Sequence, residues 1–303
     1  MVGAGGAPCD DRAIMLDADL LLAWYDVHAR ELPWRRPDTT PWGVLVSEVM
    51  LQQTPVSRVV PTYESWLARW PAPAALAADA PGEAVRAWGR LGYPRRALRL
   101  HEAATVCVER HDGAVPDDLT QLQALPGVGA YTAAAVAVFA YGQRHAVLDT
   151  NVRRVHARMI DGVEFERAGA VTVAERRRAS DLLPTDERRA AHVCVAVMEL
   201  GALVCTARSP ACERCPMRAG CAGRIADRPP WSGPARRGQT YAGTDRQCRG
   251  RLLEVLRTVD GSVPHSALVA AWGDAAQRQR SLDGLVADGL VEPQSDGRFS
   301  LPA

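Results

Sequence analysis

Four cysteines fall within seventeen residues as Cys205-x6-Cys212-x2-Cys215-x5-Cys221. Four thiolates that close together can wrap one metal centre. Structural zinc more often uses two separated C-x2-C pairs, whereas a single compact run suits a cubane iron–sulfur cluster. Spacing favours the cluster and leaves zinc open. Disulfides are disfavoured, because a 303-residue chain with 47% hydrophobic residues can bury a core without them. The remaining cysteines, Cys9, Cys107, Cys194 and Cys248, are scattered and read as small packing residues. A second signal is Leu125-Pro126-Gly127-Val128-Gly129, continued by Ala130-Tyr131-Thr132-Ala133. Its glycines permit a tight turn, and the exposed amides that open the following helix can hold a phosphate. Sixteen residues beyond Ala133 stands Asp149, in Val147-Leu148-Asp149-Thr150-Asn151. A carboxylate there, after an apolar run, is either a helix N-cap or a reacting group. All 36 basic residues are arginine. Without lysine no side chain can form a Schiff base, so lysine-dependent covalent catalysis is excluded.

The elements that must position these residues are mostly helices. From Leu16 to about Gly201 the texture is helical: Leu20, Leu21, Trp24 and Tyr25 have helix spacing, as do Val56, Val59, Val60 and Tyr63. Prolines at 33, 61, 71, 81, 116 and 126 punctuate the segments. The 125–129 turn lies between helical stretches 118–124 and 131–141. Residues 1–15 are rich in Gly and Ala and read as a mobile N-terminus. Residues 223–246 read as a linker, with Pro229-Pro230, Gly233-Pro234 and Arg236-Arg237-Gly238. Residues 247–303 form a unit of their own, with helices expected at about 249–258, 264–272 and 275–288. Two short strands, Leu290–Glu292 and Arg298–Leu301, follow around Gln294-Ser295-Asp296-Gly297. Three helices and a hairpin suggest a winged-helix-like module, with a packing domain that never touches DNA equally open.

The glycine-rich turn resembles a helix-hairpin-helix, a sequence-independent binder of the DNA backbone. The chain order of hairpin, aspartate and four-cysteine run is similar to that of the helix-hairpin-helix DNA glycosylases of the endonuclease III superfamily. Four further strings narrow the resemblance. They are Leu32-Pro33-Trp34-Arg35, the stretch from Pro41-Trp42-Gly43 through Ser47-Glu48-Val49-Met50-Leu51-Gln52-Gln53-Thr54, Leu91-Gly92-Tyr93, and Met198-Glu199-Leu200-Gly201-Ala202. Together they resemble the adenine DNA glycosylases, the MutY family, over roughly residues 16–222.

That resemblance implies a mainly α, two-lobed glycosylase fold (16–222) holding a 4Fe–4S cluster on Cys205, Cys212, Cys215 and Cys221. It implies monofunctional hydrolysis of the N-glycosidic bond of adenine mispaired with 8-oxoguanine or guanine. Asp149 occupies the place of the catalytic aspartate and Glu48 that of the proton donor. The residues agree: Glu48 lies among Val44, Leu45, Val49 and Leu51, and apolar surroundings raise a carboxyl's pKa. Asp149 is expected to stay ionised beside an electron-poor sugar. By position, Trp34, Arg35 and Glu199 line the adenine pocket, and Asn151 lies near Asp149. Gln53 and Tyr93 enter the DNA stack, and the amides of Gly127, Val128 and Gly129 hold the backbone. Tyr131 stands where bifunctional relatives carry lysine. The implied partner is double-stranded DNA with a mispaired adenine, bound by a monomer.

The resemblance stops at the C-terminus. Family members carry a Nudix-like domain that senses 8-oxoguanine, and the roughly 80 residues after Cys221 show no counterpart. An endonuclease III-like glycosylase/lyase is disfavoured by the missing lysine, and a thymine or uracil mismatch glycosylase by the 32–35 and 51–54 strings. A non-catalytic iron–sulfur DNA-binding regulator is disfavoured by the joint presence of Glu48, Tyr131 and Asp149. Net charge is only +1, but residues 205–251 hold ten arginines against three acids, a patch suited to phosphates. No apolar run reaches the ~18 residues of a membrane span and no signal peptide is read, so the expected compartment is the cytoplasm, near the nucleoid.

Overall fold

The computed structural model describes residues 16–225 and 241–303. The expected mobile N-terminus, and residues 226–240 of the expected linker, lie outside the described residues. Among the described residues the chain is helical apart from three very short strands. In order these are α1 (Ala18–His28), α2 (Pro41–Leu51), α3 (Val56–Arg69), α4 (Pro73–Ala77), α5 (Pro81–Trp88), α6 (Arg95–Arg110), α7 (Leu119–Ala124) and α8 (Ala130–Tyr141). Then come α9 (Thr150–Met159), α10 (Val173–Asp181), α11 (Glu187–Leu203), α12 (Ala222–Ile225) and α13 (Asp245–Arg257). The chain ends with β1 (Val263–Pro264), α14 (His265–Ala271), α15 (Ala275–Ala287), β2 (Glu292–Pro293) and β3 (Arg298–Ser300). Among these residues no helix is long and apolar enough to cross a membrane.

Caps explain many of the boundaries. The side chains of Asp17, Thr40, Asp118, Asp149, Thr172, Asp186, Thr244 and Asp274 each accept an N–H of the first turn that follows, replacing bonds a helix start cannot make internally. Proline opens α2, α4 and α5, where its missing N–H costs nothing.

The described residues form two compact units, and these cut across the expected boundaries of 16–222 and 247–303. One unit joins residues 16–30 to 142–225; the other joins 31–141 to 241–303. The reason is packing. In the first unit α1 lies on α11, and Leu21 shares a core with Val152, Val155, Val193, Val197 and Leu200. In the second, Trp66, Trp88, Leu45 and Leu100 belong to the same apolar core as Leu252, Leu253, Leu256 and Leu285. Residues 241–303 thus bury their apolar face against α5 and α6 instead of standing alone.

Their secondary structure follows the expected order with one added strand and two main shifts, the first being that α13 starts at Asp245, inside the expected linker, where Thr244 caps it. The expected helices correspond to α13, α14 and α15. The strand expected at Leu290–Glu292 starts later, because Leu290 and Val291 are wholly buried in the core and pairing begins at Glu292. The unforeseen β1 completes a three-stranded antiparallel sheet in the order β1-β3-β2, with Val263 and Pro293 both opposite Phe299.

Candidate active site

The second unit carries Glu48. Thr40 caps α2 by accepting the Gly43 N–H at 3.2 Å, and every residue from Trp42 to Met50 is buried. Such an all-round apolar helix belongs in an interior, and α2 packs against α8. Glu48 is the acidic residue in that buried run, 6% exposed. At the start of the same helix α2 packs tightly on α3: a Cβ on Gly43 would lie 2.9 Å from the Tyr63 hydroxyl oxygen. Trp34 is buried edge-on to Tyr63, ring centres 5.3 Å apart, and burial pushes the Tyr63 phenol up to about 12. Arg35 follows in the same short turn, partly buried.

The hairpin takes the expected form. Helix α7 ends at Ala124, the Val128 N–H returns to the Leu125 carbonyl at 3.1 Å, and α8 begins at Ala130. Gly127 has φ +77°, and a Cβ there would lie 2.7 Å from the Arg99 Cβ, so glycine is required twice over. Gly129 faces open space, with nothing within 4 Å of a built Cβ. Its neighbour Val128 is buried and anchors the turn to the core. Tyr131 occupies the first turn of α8, partly buried.

Gln53 and Tyr93 share a feature the sequence did not reveal. Both are exposed and both are left-handed, with φ +55° and +48°; among the described residues only Asp112 joins them as a non-glycine of this kind. That conformation costs roughly 1–2 kcal/mol, so surrounding contacts must hold it. Arg96 supplies them. Its Nη1 donates to the carbonyls of Val49 (2.7 Å), Met50 (3.1 Å) and Gln52 (2.7 Å), closing the C-terminus of α2. Its Nη2 donates to Thr54 Oγ1 and to the Gly92 carbonyl, both at 3.1 Å. The guanidinium also lies over the rings of Trp88 and Tyr93. Burial pushes its pKa down to about 10, still charged at neutral pH. One arginine therefore clasps both strained turns, and no motif signals it.

The first unit carries Asp149, which takes the helix N-cap position. Asp149 caps α9, Oδ1 accepting the Val152 N–H at 2.7 Å, while Oδ2 accepts Asn151 Nδ2 at 2.7 Å. Burial raises its pKa against these hydrogen bonds, and the net shift is upward. Asn151 is itself fixed: its Oδ1 accepts Arg154 Nη2 at 2.8 Å, and its Cβ lies 2.8 Å from where a Gly201 Cβ would be. Arg154 also donates to the carbonyls of Gly201 (2.7 Å) and Cys205 (2.8 Å). Glu199 is fully buried, and Arg30 occupies it three times. The Arg30 backbone N–H and Nε reach Oε1 at 2.9 and 2.7 Å, and Nη2 reaches Oε2 at 2.8 Å. The sequence reading missed Arg30, Arg96 and Arg154, since an arginine just past a helix end or beside a second arginine looks like solvated charge.

The four cysteines line one cavity of about 120 Å³, together with arginines 158, 208, 218 and 224. Among the described residues no three His, Cys, Asp or Glu side chains converge tightly enough to hold a single ion. Sulfurs ringing a void suit a polynuclear cluster better than tetrahedral zinc. The surroundings act on the thiols in opposite directions. Burial pushes Cys205 up and Cys215 to about 11, whereas Arg158 Nη1 lies 3.5 Å from Cys205 Sγ and favours the anion. Arg158 further donates to the carbonyls of Glu164, Thr206 and Ala207, tying the loop to α9. Part of the expected arginine patch is neutralised, because Glu213 pairs with Arg218 at 2.6 Å and Arg224 at 3.5 Å.

Comparison with known proteins agrees with this geometry. Residues 46–164 match the HhH-GPD superfamily of base excision DNA repair proteins, and residues 205–221 match the iron–sulfur binding domain of endonuclease III. The chain is 54% identical over 285 residues to an adenine DNA glycosylase of Mycobacterium tuberculosis (strain ATCC 25618 / H37Rv), covering 93% of this chain and 92% of that one. It is 52% identical over 282 residues to the adenine DNA glycosylase of Mycolicibacterium smegmatis, covering 93% and 94%. A solved thermostable thymine-DNA glycosylase superposes with a TM-score of 0.62 at 28% identity, covering 69% of this chain and 95% of that one.

Proposed function

From the premise that the chain belongs to the adenine DNA glycosylases, iron–sulfur base excision repair enzymes of the HhH-GPD superfamily, we propose a division of labour among its residues. The enzyme removes adenine from DNA and carries a 4Fe–4S cluster. The observation that carries the assignment is a pair of carboxyls in unlike surroundings: Glu48 within an apolar helix, and Asp149 at a hydrogen-bonded cap.

The substrate is adenine opposite 8-oxoguanine or guanine in a duplex, bound by a monomer in the cytoplasm or nucleoid. The amides of Gly127, Val128 and Gly129 hold a phosphate. Gln53 and Tyr93 enter the stack as adenine leaves it. By their places in the family's motifs, Trp34 and Arg35 are assigned to the adenine, and so is Glu199, which Arg30 fixes. Glu48 gives its proton to a ring nitrogen on the Hoogsteen edge, and the bond from C1′ to the base breaks with its electron pair leaving on adenine. The oxocarbenium-like sugar is stabilised by the Asp149 carboxylate, which Asn151 orients. Water adds to C1′, and its proton passes to Glu48. Tyr131 occupies the position from which a lysine would attack. The cluster, held by the four cysteines, braces the arginine-bearing loop.

Two results are expected. With no lysine, the product is an intact strand carrying an abasic site, broken only by alkali or an added endonuclease. Borohydride traps little adduct, since a stable imine needs a primary amine. The assay uses duplexes with A opposite 8-oxoguanine, A opposite guanine, T opposite guanine, and thymine glycol, with the protein blocked at its N-terminus. Efficient scission without alkali, or base release only from the last two duplexes, defeats the reading.

The second concerns pH. Asp149 must be ionised to stabilise a cation, and its pKa lies above the ordinary carboxylate range. Activity is therefore lost, as pH falls, earlier than for a solvated aspartate. Asn151 donates to the ionised form, so Asn151→Ala raises the pKa further and moves the acid limb of the single-turnover rate to higher pH. An unmoved limb separates Asp149 from that limb.

A further inference from the structure

Residues 241–303 follow the order helix, strand, two helices, two strands, with β3 paired to both β1 and β2. This is the order of winged-helix DNA readers, yet the surface does not suit DNA. The segment holds seven arginines against eight acids. Helix α15, in the place of a recognition helix, exposes Gln279, Arg280 and Asp283, and the wing turn exposes Gln294, Ser295 and Asp296. A backbone-binding module needs clustered positive charge.

Its inner face is spent on the α5–α6 pair. The Gly82 N–H donates to the Pro302 carbonyl at 2.8 Å, and a Cβ on Gly82 would stand 2.4 Å from that oxygen. Arg86 of α5 donates from Nη1 to the Arg257 (2.6 Å) and Val259 (3.0 Å) carbonyls at the end of α13. Arg257 answers, its Nε donating to the Val85 carbonyl at 2.9 Å. At the start of α6, Arg95 pairs with Asp288 at 3.2 Å. The turn joining these two helices carries three left-handed residues, Gly89, Gly92 and Tyr93. Arg96 and Trp88, which donates to the Gly92 carbonyl at 2.9 Å, hold it from within. The 241–303 segment fixes both helices that lead into and out of it.

We propose that residues 241–303 act as an internal buttress for the Tyr93 turn, presenting that side chain to the duplex, and do not serve as a second DNA-reading module. The proposal rests on the reading above that Tyr93 enters the stack.

The test uses full-length holoenzyme with Gly82→Ala, Arg86→Gln, Tyr93→Ala, each of the first two combined with Tyr93→Ala, and the α15 pair Gln279→Glu/Arg280→Glu. Measured are single-turnover adenine excision, affinity for a matched duplex with its salt dependence, and hydrogen exchange of residues 89–94. Gly82→Ala and Arg86→Gln should each slow excision about tenfold and speed exchange in the turn, with matched-duplex affinity held. In the Tyr93→Ala background neither should cause further loss. The charge-reversed pair, on the exposed face, should leave excision and the salt slope unchanged. Arg86→Gln removes the hydrogen bonds to the end of α13 and the ion pairs with Glu83 and Asp260 without adding bulk, and keeps the test intact should Gly82→Ala fail to fold. A salt slope reduced by about 1 or more in the charge-reversed pair would mark direct phosphate contacts and overturn the proposal. So would losses that add fully to that of Tyr93→Ala. Wild-type excision by Tyr93→Ala alone instead removes the underlying reading of Tyr93, and the proposal with it.

Discussion

Glu48→Gln is expected to abolish adenine release while the protein still folds and still prefers mismatched duplex. The amide matches the carboxyl in size, so the buried α2 interface keeps its packing, and a neutral group replaces one that sits 6% exposed among apolar side chains. What disappears is the transferable proton. Loss of general acid–base catalysis alone costs typically ~10²–10⁴-fold. Here the same residue protonates the leaving base and then receives a proton from water, so the loss should reach the upper end of that range or exceed it. The measurement is the single-turnover excision rate at saturating enzyme, beside the affinity for mismatched and matched duplexes. A rate within about tenfold of wild type, below the range for a lost general acid, would eliminate Glu48 from that role.

Cys215→Ala should have the second-largest effect. The four sulfurs ring a cavity that protein atoms do not fill, and Arg158 and the loop carbonyls are arranged around it. Wild-type protein should be brown, with broad absorbance at roughly 400 nm. Removing one thiolate should cost the iron and the colour, followed by duplex affinity, while helical content persists because Cys215 only borders the first unit's core and takes no part in the second's. Iron content, absorbance and far-UV circular dichroism on one preparation, with duplex binding alongside, decide this. Full iron occupancy in the variant, or stoichiometric zinc in anaerobically prepared wild type, contradicts the assignment.

The motif residues were legible in the sequence for a physical reason: each depends on local chain geometry. The 125–129 turn needs glycine at φ +77°, the cap at Asp149 needs a short carboxylate, and the cysteine run needs its spacing. Glu48 was legible through its neighbours, since an acid flanked by valine and leucine on a helix must be enclosed. What escaped depends on distance along the chain. Arg30 meets Glu199 across 169 residues, and Arg154 reaches Cys205 across 51. Arg96 carries no periodicity that separates it from its exposed neighbours Arg95 and Arg99. Strand β1 is two residues long and has no alternation to read. The unit boundaries escaped because a linker-like composition does not reveal where the chain packs after it.

The interleaving of the two units has a consequence for how the enzyme is made. Helix α1 and the Arg30 that follows it leave the ribosome early, but their partners Arg189 and Glu199 lie on α11, about 170 residues later. At ~5–20 residues per second that is roughly 10–30 s of synthesis during which the α1 face has nothing to cover it. The other unit waits longer, because Gly82 closes on Pro302. The first unit has all its residues once α12 has emerged, whereas the second still lacks residues 241–303. A nascent chain stalled before α13 would therefore hold one finished unit and expose the incomplete core of the other to proteases and chaperones.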